Sequence, residues 1–318
     1  MIDISALGFP LINNKYGSFD HIEKNSISWA DHFKLLDDLN CAKAYEQLNS
    51  GRVGHYTYCY SDNERTQIGT DLIGWLFMWD DVYPDGKFRR EPEMLAQVSQ
   101  KYMQVYSSGN SALQNSAFSH SLLDLKNRMS QFASEKWISR FKYTYRDYFD
   151  GCLKEVFYRS SNLIPTFEQY KDFRHQSIGG YPILDFMEIA HNSFVSDTVF
   201  ESSLFQDFRK SSALILALTN DYFSLFKEEL EQDSFNAIVC LRNEHQVDKS
   251  VAIAMYVDAH FQEVEKIRFL EEEIKIKWGA ASPAARYCVS ARTWMQGNLD
   301  WAMQTPRYQQ SLPGEIIK

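Results

Sequence analysis

The chain has 318 residues and a formal net charge of −9, from 33 basic and 42 acidic side chains. Hydrophobic residues make up 44% of it and charged residues 24%, which excludes a disordered chain. The acidic balance argues against a nucleic-acid-binding groove, which needs clustered Lys and Arg, so no nucleic-acid partner is expected. Aromatic residues are unusually frequent at 15%.

Membrane and export signals are missing from the sequence pattern. No apolar stretch approaches the ~20 residues that a membrane-spanning helix needs, and no secretory signal is visible. The five cysteines are dispersed without the close pairing of a metal site, which is typical of reduced thiols. We therefore expect no membrane span and a cytoplasmic location.

Helical spacing of apolar residues dominates the chain. The first 30 residues are the exception, and we expect them to wrap the fold as an irregular, strand-like segment. Long helices are then predicted over residues 71–81, 137–156, 213–226, 251–276 and 288–303.

Breaks between the predicted helices are local. Pro84-Asp85-Gly86 and Gly179-Gly180 interrupt helical patterns, and Ser282-Pro283 begins one. No linker, composition shift or internal repeat divides the chain. The sequence therefore predicts one all-α domain over residues 1–318, with about a dozen helices.

The first candidate site follows the almost purely apolar run 72–79. Asp80, Asp81 and Asp85 stand where that helix should end, although the helix dipole disfavours negative charge there. A hard divalent cation such as Mg²⁺ would offset the repulsion. A solvated acidic turn remains the alternative for these residues alone.

The second candidate site is a polar stripe on the helix that includes residues 213–226. Asn220, Ser224 and Glu228 are spaced four residues apart, so their side chains lie on one narrow face. All three offer oxygen ligands of the kind that Mg²⁺ prefers. Polar groups on an otherwise apolar helix are costly to bury unless they bind something.

With both sites in view, the chain resembles the class I terpene synthases, most closely the bacterial ones. Asp80, Asp81 and Asp85 fit their aspartate-rich motif in its DDxxxD form. The family's second motif, NDxxSxxKE, is matched at every defined position by Asn220, Asp221, Ser224, Lys227 and Glu228. This second match is the specific one.

Two further features resemble the same family at its usual spacing. Arg174 lies 46 residues before Asn220, where a diphosphate-sensing arginine is expected, and Arg307-Tyr308 corresponds to a C-terminal Arg-Tyr pair. The sequence departs from the family four residues after Arg174. Ile178 stands where bacterial members often have glycine, and Gly179 follows, so either carbonyl remains a candidate for sensing the substrate.

The resemblance implies an all-α bundle with a central active-site cavity, a prenyl diphosphate substrate, a cluster of three Mg²⁺ ions and a possible homodimer. Magnesium would be held by the two motifs. Within the first motif, Asp81 is expected to hold an arginine rather than to bind a metal in its own right. The expected diphosphate ligands are Arg174, Lys227, Arg307 and Tyr308. Phe77 and Trp301 are expected to face the carbocation, and Tyr56, Phe173 and Trp294 are weaker candidates.

The implied activity is Mg²⁺-dependent cyclisation of farnesyl diphosphate to a sesquiterpene, with release of diphosphate. A diterpene cyclase acting on the longer geranylgeranyl diphosphate is the alternative. A chain-elongating prenyltransferase would carry a second aspartate-rich motif, which the chain lacks. An inactive helical interaction protein is the alternative of another class, and it predicts decayed motifs.

Overall fold

A computed structural model of the chain describes residues 18–230, 233 and 235–309. This part of the chain consists of α-helices, a π-helical turn at Tyr83–Lys87, a 3₁₀ turn at Ser111–Gln114 and connecting segments, with no β-strand. The helices are α1 (Asp20–His32), α2 (Leu39–Leu48), α3 (Ser50–Thr57), α4 (Asn63–Val82), α5 (Pro92–Ser108), α6 (Ala117–Met129), α7 (Glu135–Ser161), α8 (Phe167–Ser177), α9 (Gly180–Asp185), α10 (Met187–Ala190), α11 (Asp197–Phe200), α12 (Ser203–Leu230), α13 (Ala237–His245), α14 (Lys249–Trp278), α15 (Pro283–Ala302) and α16 (Pro306–Gln309).

The predicted all-α fold is confirmed, and each of the five predicted long helices is present. Four extend beyond the predicted bounds at both ends, and the last begins five residues earlier and ends one residue earlier than predicted. The expectation of an irregular segment over the first 30 residues is wrong from Asp20 onward, because α1 is a regular helix. Residues 1–17 lie outside the described part. None of the described helices combines the length and apolar character needed to cross a bilayer.

Side-chain caps fix where several helices begin. The Asp62 carboxylate accepts a hydrogen bond from the Arg65 backbone amide at the start of α4, and the Ser134 hydroxyl accepts one from the Trp137 backbone amide at the start of α7. Thr166 and Gln169 form a reciprocal capping box at the start of α8. These contacts satisfy amide groups that have no partner within the helix.

The break predicted at Gly179-Gly180 separates α8 from α9. Gly179 adopts a left-handed conformation with φ of 70°, which glycine tolerates without steric cost. The chain turns there and continues as α9, which packs against both α7 and α12. This turn brings the carboxyl end of α8 against the middle of the bundle.

Helix α4 is buried on nearly all sides, with one face against an aromatic cluster and another lining the cavity described below. Trp75 and Trp79, one turn apart, face an aromatic cluster that includes Tyr102, Tyr145 and Phe149. The Trp79 and Phe149 rings are 4.6 Å apart between centroids. Most of this helix's aromatic surface is therefore core, which leaves its other face for the site.

Candidate active site

A central cavity lies between α4, α7, α8, α9, α12, α15 and α16. It encloses about 830 Å³ of empty space including its mouth, a size common for small-molecule sites. Its apolar lining is Ile73, Leu76, Phe77, Ile178, Gly179, Ile183, Phe235 and Trp294, with the ring of Tyr148. Its polar lining includes Asp80, Asp85, Glu155, Arg159, Arg174, Ser177, Asn220, Ser224, Lys227, Glu228, Arg307 and Tyr308.

The three carboxylates of the first motif have three different environments. Asp80 lines the cavity, and its Oδ1 accepts from the Tyr148 hydroxyl at 3.2 Å. Burial, followed by repulsion from Asp85, raises the pKa of Asp80 well above its ordinary value. This carboxylate would be stabilised by a cation, because its hydrogen-bond donors among the described residues are the neutral side chains of Tyr148 and Cys152.

Asp81 is held by an arginine, as the sequence suggested. Arg307 Nη2 lies 2.7 Å from Asp81 Oδ1, and Nη1 lies 3.0 Å from Oδ2. Burial acts to raise the pKa of Asp81, but the guanidinium outweighs it and the net pKa is below the ordinary value. The pair joins the carboxyl end of α4 to α16.

Asp85 also has an arginine partner. Arg159 Nη1, near the end of α7, lies 3.0 Å from Asp85 Oδ1. Arg159 Nε donates in turn to Asp233 at 3.1 Å, and Arg89 reaches the same Asp233 carboxylate at 2.9 Å. The first motif is thereby connected to the segment that follows α12.

The second motif lies across the cavity on α12. The Asn220 amide nitrogen donates to the Tyr308 hydroxyl at 2.7 Å, and its oxygen accepts from Arg174. Ser224 donates to the Asn220 carbonyl one turn back, and Glu228 accepts from the Asn236 amide at 2.7 Å. Burial, followed by repulsion from Asp221, raises the pKa of Glu228 to about 8.

Arg174 is almost completely buried at 8% exposure, and it connects the three helices α7, α8 and α12. Its five donors are all engaged, with Tyr170 (3.0 Å), Glu155 (2.9 Å), Ser177 (3.4 Å), Asn220 (2.9 Å) and Asp221 (3.2 Å). The arginine chosen from its 46-residue spacing therefore contacts the second motif directly. It lines the cavity beside Ile178 and Gly179.

The aromatic candidates divide into two groups. The Phe77 ring lines the cavity and stacks edge-on with Trp301, 5.8 Å between centroids, while the Arg307 guanidinium lies 5.1 Å above it. Trp301 itself lies behind Phe77, outside the cavity lining, and its indole donates to the Leu48 carbonyl. Trp294 lines the cavity, whereas Tyr56 and Phe173 do not.

Several residues of this network were not found from the sequence. Arg159 forms an i, i+4 charged pair with Glu155, and that spacing was the available signal. It was missed because the predicted helix ended at residue 156, three residues before Arg159, whereas α7 continues to Ser161. Asp233, Asn236 and Tyr148 carry no local pattern that marks them as site residues.

The donor set suits a hard divalent cation. Carboxylate, amide and hydroxyl oxygens face the cavity from α4 and α12, and Asp80 and Glu228 are half-buried carboxyls with neutral partners. Within the described residues, no three His, Cys, Asp or Glu side chains converge as a metal-binding group. Asn220 and Ser224, two of the three expected ligands in the second motif, are of none of these four residue types. They still offer the oxygen ligands that Mg²⁺ prefers, so the residues present fit Mg²⁺.

The chain matches the model of a known protein family over more than half of its length. The model of terpene synthase family 2, C-terminal metal binding, matches residues 71–266, which include both motifs and Arg174. The chain belongs to terpene synthase family 2. Membership implies a divalent metal and a prenyl diphosphate substrate, and it confirms the resemblance that the two motifs carry.

Related proteins match this terpene synthase over nearly their full length. It is 29% identical to germacrene A synthase of Nostoc punctiforme, covering 94% of this chain and 93% of the relative. It is 25% identical to (+)-T-muurolol synthase of Roseiflexus castenholzii, described as (2E,6E)-farnesyl diphosphate cyclizing, covering 91% and 89%. The crystal structure of germacradien-4-ol synthase from Streptomyces citricolor superimposes with a TM-score of 0.82 at 21% identity, over 94% and 98% of the two chains.

Proposed function

We propose that this terpene synthase binds farnesyl diphosphate with Mg²⁺, ionises it and cyclises the resulting carbocation to a sesquiterpene. The observation that carries the proposal is the division of one cavity. Along α4 the lining changes from Ile73, Leu76 and Phe77 to Asp80, and the lining as a whole combines aliphatic and aromatic side chains with cationic and oxygen-rich ones. A diphosphate attached to an apolar isoprenoid chain has the same division.

The polar side chains would receive the leaving group. Arg174, Lys227, Arg307 and the Tyr308 hydroxyl are proposed to donate to diphosphate oxygens. The C–O bond breaks with both electrons going to the diphosphate, and preorganised donors stabilise that developing charge. Magnesium held by Asp80, Asn220, Ser224 and Glu228 would supply further positive charge at the leaving oxygens.

The apolar side chains would guide the cation. Phe77 presents its ring to the cavity, and a cation over a ring gains about 0.5 to 2 kcal/mol. The aliphatic side chains of Ile73, Leu76 and Ile183 offer no nucleophile that would trap it. Trp301 is proposed to act by supporting Phe77, which it contacts.

The farnesyl chain length is supported by the relatives. The (+)-T-muurolol synthase is named for cyclising (2E,6E)-farnesyl diphosphate. This relative and the germacrene A synthase match the present protein over nearly all of their sequences. We also propose that residues 1–318 form one catalytic domain with a three-ion Mg²⁺ cluster. The five free cysteines fit a cytoplasmic location. The homodimer stays a prediction, which light scattering coupled to size exclusion tests.

The test is incubation of the purified chain with Mg²⁺ and the C10, C15 or C20 prenyl diphosphate in parallel, followed by extraction and mass spectrometry. We expect cyclic C15 products from farnesyl diphosphate, and none after chelation with EDTA. Asn220→Ala and Glu228→Gln should remove turnover while the helical circular dichroism stays unchanged. Preferred turnover of the C20 substrate would replace the chain-length proposal, and no product from any substrate would contradict cyclase activity.

A further inference from the structure

The carboxylates around the cavity fall into two groups according to their partners. Most are ion-paired to an arginine. These are Asp81 with Arg307, Asp85 and Asp233 with Arg159, and Glu155 and Asp221 with Arg174. Asp80 and Glu228 differ, because their hydrogen-bonding partners are neutral side chains. One of these two carboxylates belongs to each metal motif.

A neutral donor has a different effect on a carboxylate than an arginine has. An arginine fixes the orientation of the carboxylate and also neutralises its charge. A hydroxyl or amide donor fixes the orientation while leaving the negative charge available to a cation. Asp80 and Glu228 are therefore oriented by neighbours that do not compete with a metal ion for them.

Tyr148 is rigidly placed to orient Asp80. Its side chain is 2% exposed, and its ring packs against Trp79 at 5.5 Å and Phe149 at 5.6 Å between centroids. Its hydroxyl lies 3.2 Å from Asp80 Oδ1 and 3.4 Å from the Leu76 carbonyl. The packing of the ring leaves the hydroxyl little freedom to move away from Asp80.

Asn236 is held even more firmly beside Glu228. It is fully buried and caps α13 by accepting from the Ile238 amide at 2.9 Å. Its amide nitrogen donates both to Glu228 Oε2 and to the Asp221 carbonyl, each at 2.7 Å. These bonds fix the amide plane, so the Glu228 carboxylate is fixed with it.

We propose that Tyr148 and Asn236 are positioning residues that orient Asp80 and Glu228 for a divalent cation without neutralising them. The proposal rests on the proposed function, since it concerns the metal of the same site. The roles act through the Tyr148 hydroxyl and the Asn236 amide, and neither group needs to touch the metal. Outer partners of this kind typically change metal affinity 10–100-fold when removed.

The first test compares Tyr148→Phe with Tyr145→Phe. Tyr145 lies one turn earlier on α7 and is equally buried, but its hydroxyl has no hydrogen-bond partner among the residues that the structure describes. Thermal unfolding is followed while Mg²⁺ is titrated in the presence of inorganic diphosphate. We expect Tyr148→Phe to need about 10-fold more Mg²⁺ for half of the stabilisation, and Tyr145→Phe to match wild type.

The second test uses Asn236→Ser, because serine keeps an acceptor for the α13 cap but is too short to reach Glu228. Unfolding without metal shows whether this variant is folded. The expected result is again an increase of about 10-fold or more in the Mg²⁺ midpoint. In turnover assays, Tyr148→Phe and Asn236→Ser should both recover at high Mg²⁺, and Tyr148→Phe retains the ring that lines the cavity.

The outcomes separate the two proposals. If wild type responds to Mg²⁺ and turns over substrate while Tyr148→Phe and Asn236→Ser keep its Mg²⁺ midpoint, the positioning roles are overturned and the cyclase function stands. If wild type shows no response to Mg²⁺ with diphosphate and no turnover, the proposed function fails and this inference fails with it. An equal shift in Tyr145→Phe would show a general packing effect and would also overturn the positioning roles.

Discussion

Arg307 donates to both carboxylate oxygens of Asp81, which lies 226 residues earlier in the sequence. Nη2 is 2.7 Å from Oδ1, and Nη1 is 3.0 Å from Oδ2. The same guanidinium lies over the Phe77 ring, which lines the cavity. One side chain therefore connects the first motif, α16 and the aromatic wall. Changes at Arg307 should consequently affect substrate binding more than folding.

Replacing Arg307 by Lys is expected to lower kcat/KM for the prenyl diphosphate by about 10- to 100-fold. A lysine cannot reproduce the planar two-pronged contact with Asp81, and charge-assisted hydrogen bonds contribute roughly 1.5–3 kcal/mol each. Steady-state kinetics measure the change. Arg292→Lys is the control, because Arg292 pairs with Glu271 away from the cavity lining. Wild-type kcat/KM in Arg307→Lys would remove this arginine from substrate binding.

Phe77→Ala should still release diphosphate but yield a different mixture of hydrocarbons. The residue is placed at the wall and not among the diphosphate ligands, so its loss removes ring contacts with the cation. Diphosphate release and product analysis are measured on the same sample. Phe157→Ala, which changes an exposed ring, should leave the products unaltered. An unchanged product profile in Phe77→Ala would mean that this ring is only core.

His260 should make the fold sensitive to acid. It is fully buried, neither ring nitrogen has a partner among the described residues, and burial lowers the pKa of His260 to about 4. As pH falls below about 6.5, the unfolded chain takes up a proton that the folded chain does not. The free energy of unfolding therefore decreases from pH 6.5 toward pH 4.

The test is urea unfolding of His260→Leu and wild type at pH 7 and pH 5. The stability difference in favour of the variant should grow by roughly 2 kcal/mol between these pH values, because the variant lacks the titrating group. His120→Gln changes an exposed histidine and serves as the control. A constant difference between pH 7 and pH 5 would contradict the assignment.

Gly151→Ala should reduce both stability and activity, because α7 and α8 approach closely at this residue. An added Cβ would lie 2.5 Å from the Ser177 amide and 2.8 Å from Gln176 Cβ. Overpacking of this kind typically costs about 1–3 kcal/mol. The displaced end of α8 carries Arg174 and Ser177, so kcat should fall as well.

Gly109→Ala separates the two effects of Gly151→Ala. Gly109 has a φ of 71°, so an added Cβ strains the backbone, but it meets no atom within 4 Å. Thermal unfolding should show destabilisation in this variant, while kinetics should show wild-type kcat. If Gly151→Ala lost stability but kept full kcat, the close approach would have no bearing on the site.

Local sequence patterns predicted the parts of the site that lie within single helices. The Asn220, Ser224 and Glu228 stripe depends only on helical periodicity, and the structure places it on the cavity. The spacing between Arg174 and Asn220 came from the family resemblance, and the two side chains are in contact at 2.9 Å. These predictions needed no knowledge of how separate helices pack.

The remaining features depend on packing between distant elements. Trp301 carries the same aromatic signal as Trp294 and lies on the same face of α15, yet only Trp294 lines the cavity. Two turns farther along the helix, Trp301 packs against Phe77 of α4, and Phe77 is the ring that lines the cavity there. Asp85 likewise pairs with Arg159, which lies in the part of α7 beyond the predicted end of that helix. The helix α1 was missed since its apolar residues are few and its early residues are polar.

The proposed binding of diphosphate at Arg174 would be an exchange and not a simple addition. All five guanidinium N–H groups already have acceptors, so an incoming anion must displace one of them, such as the Asn220 amide oxygen. Weak acceptors such as chloride compete poorly against partners that the fold holds in place, whereas a diphosphate offers several strongly basic oxygens at once. We therefore expect the site to discriminate among anions by acceptor strength, with inorganic diphosphate inhibiting the synthase at far lower concentration than chloride or monophosphate.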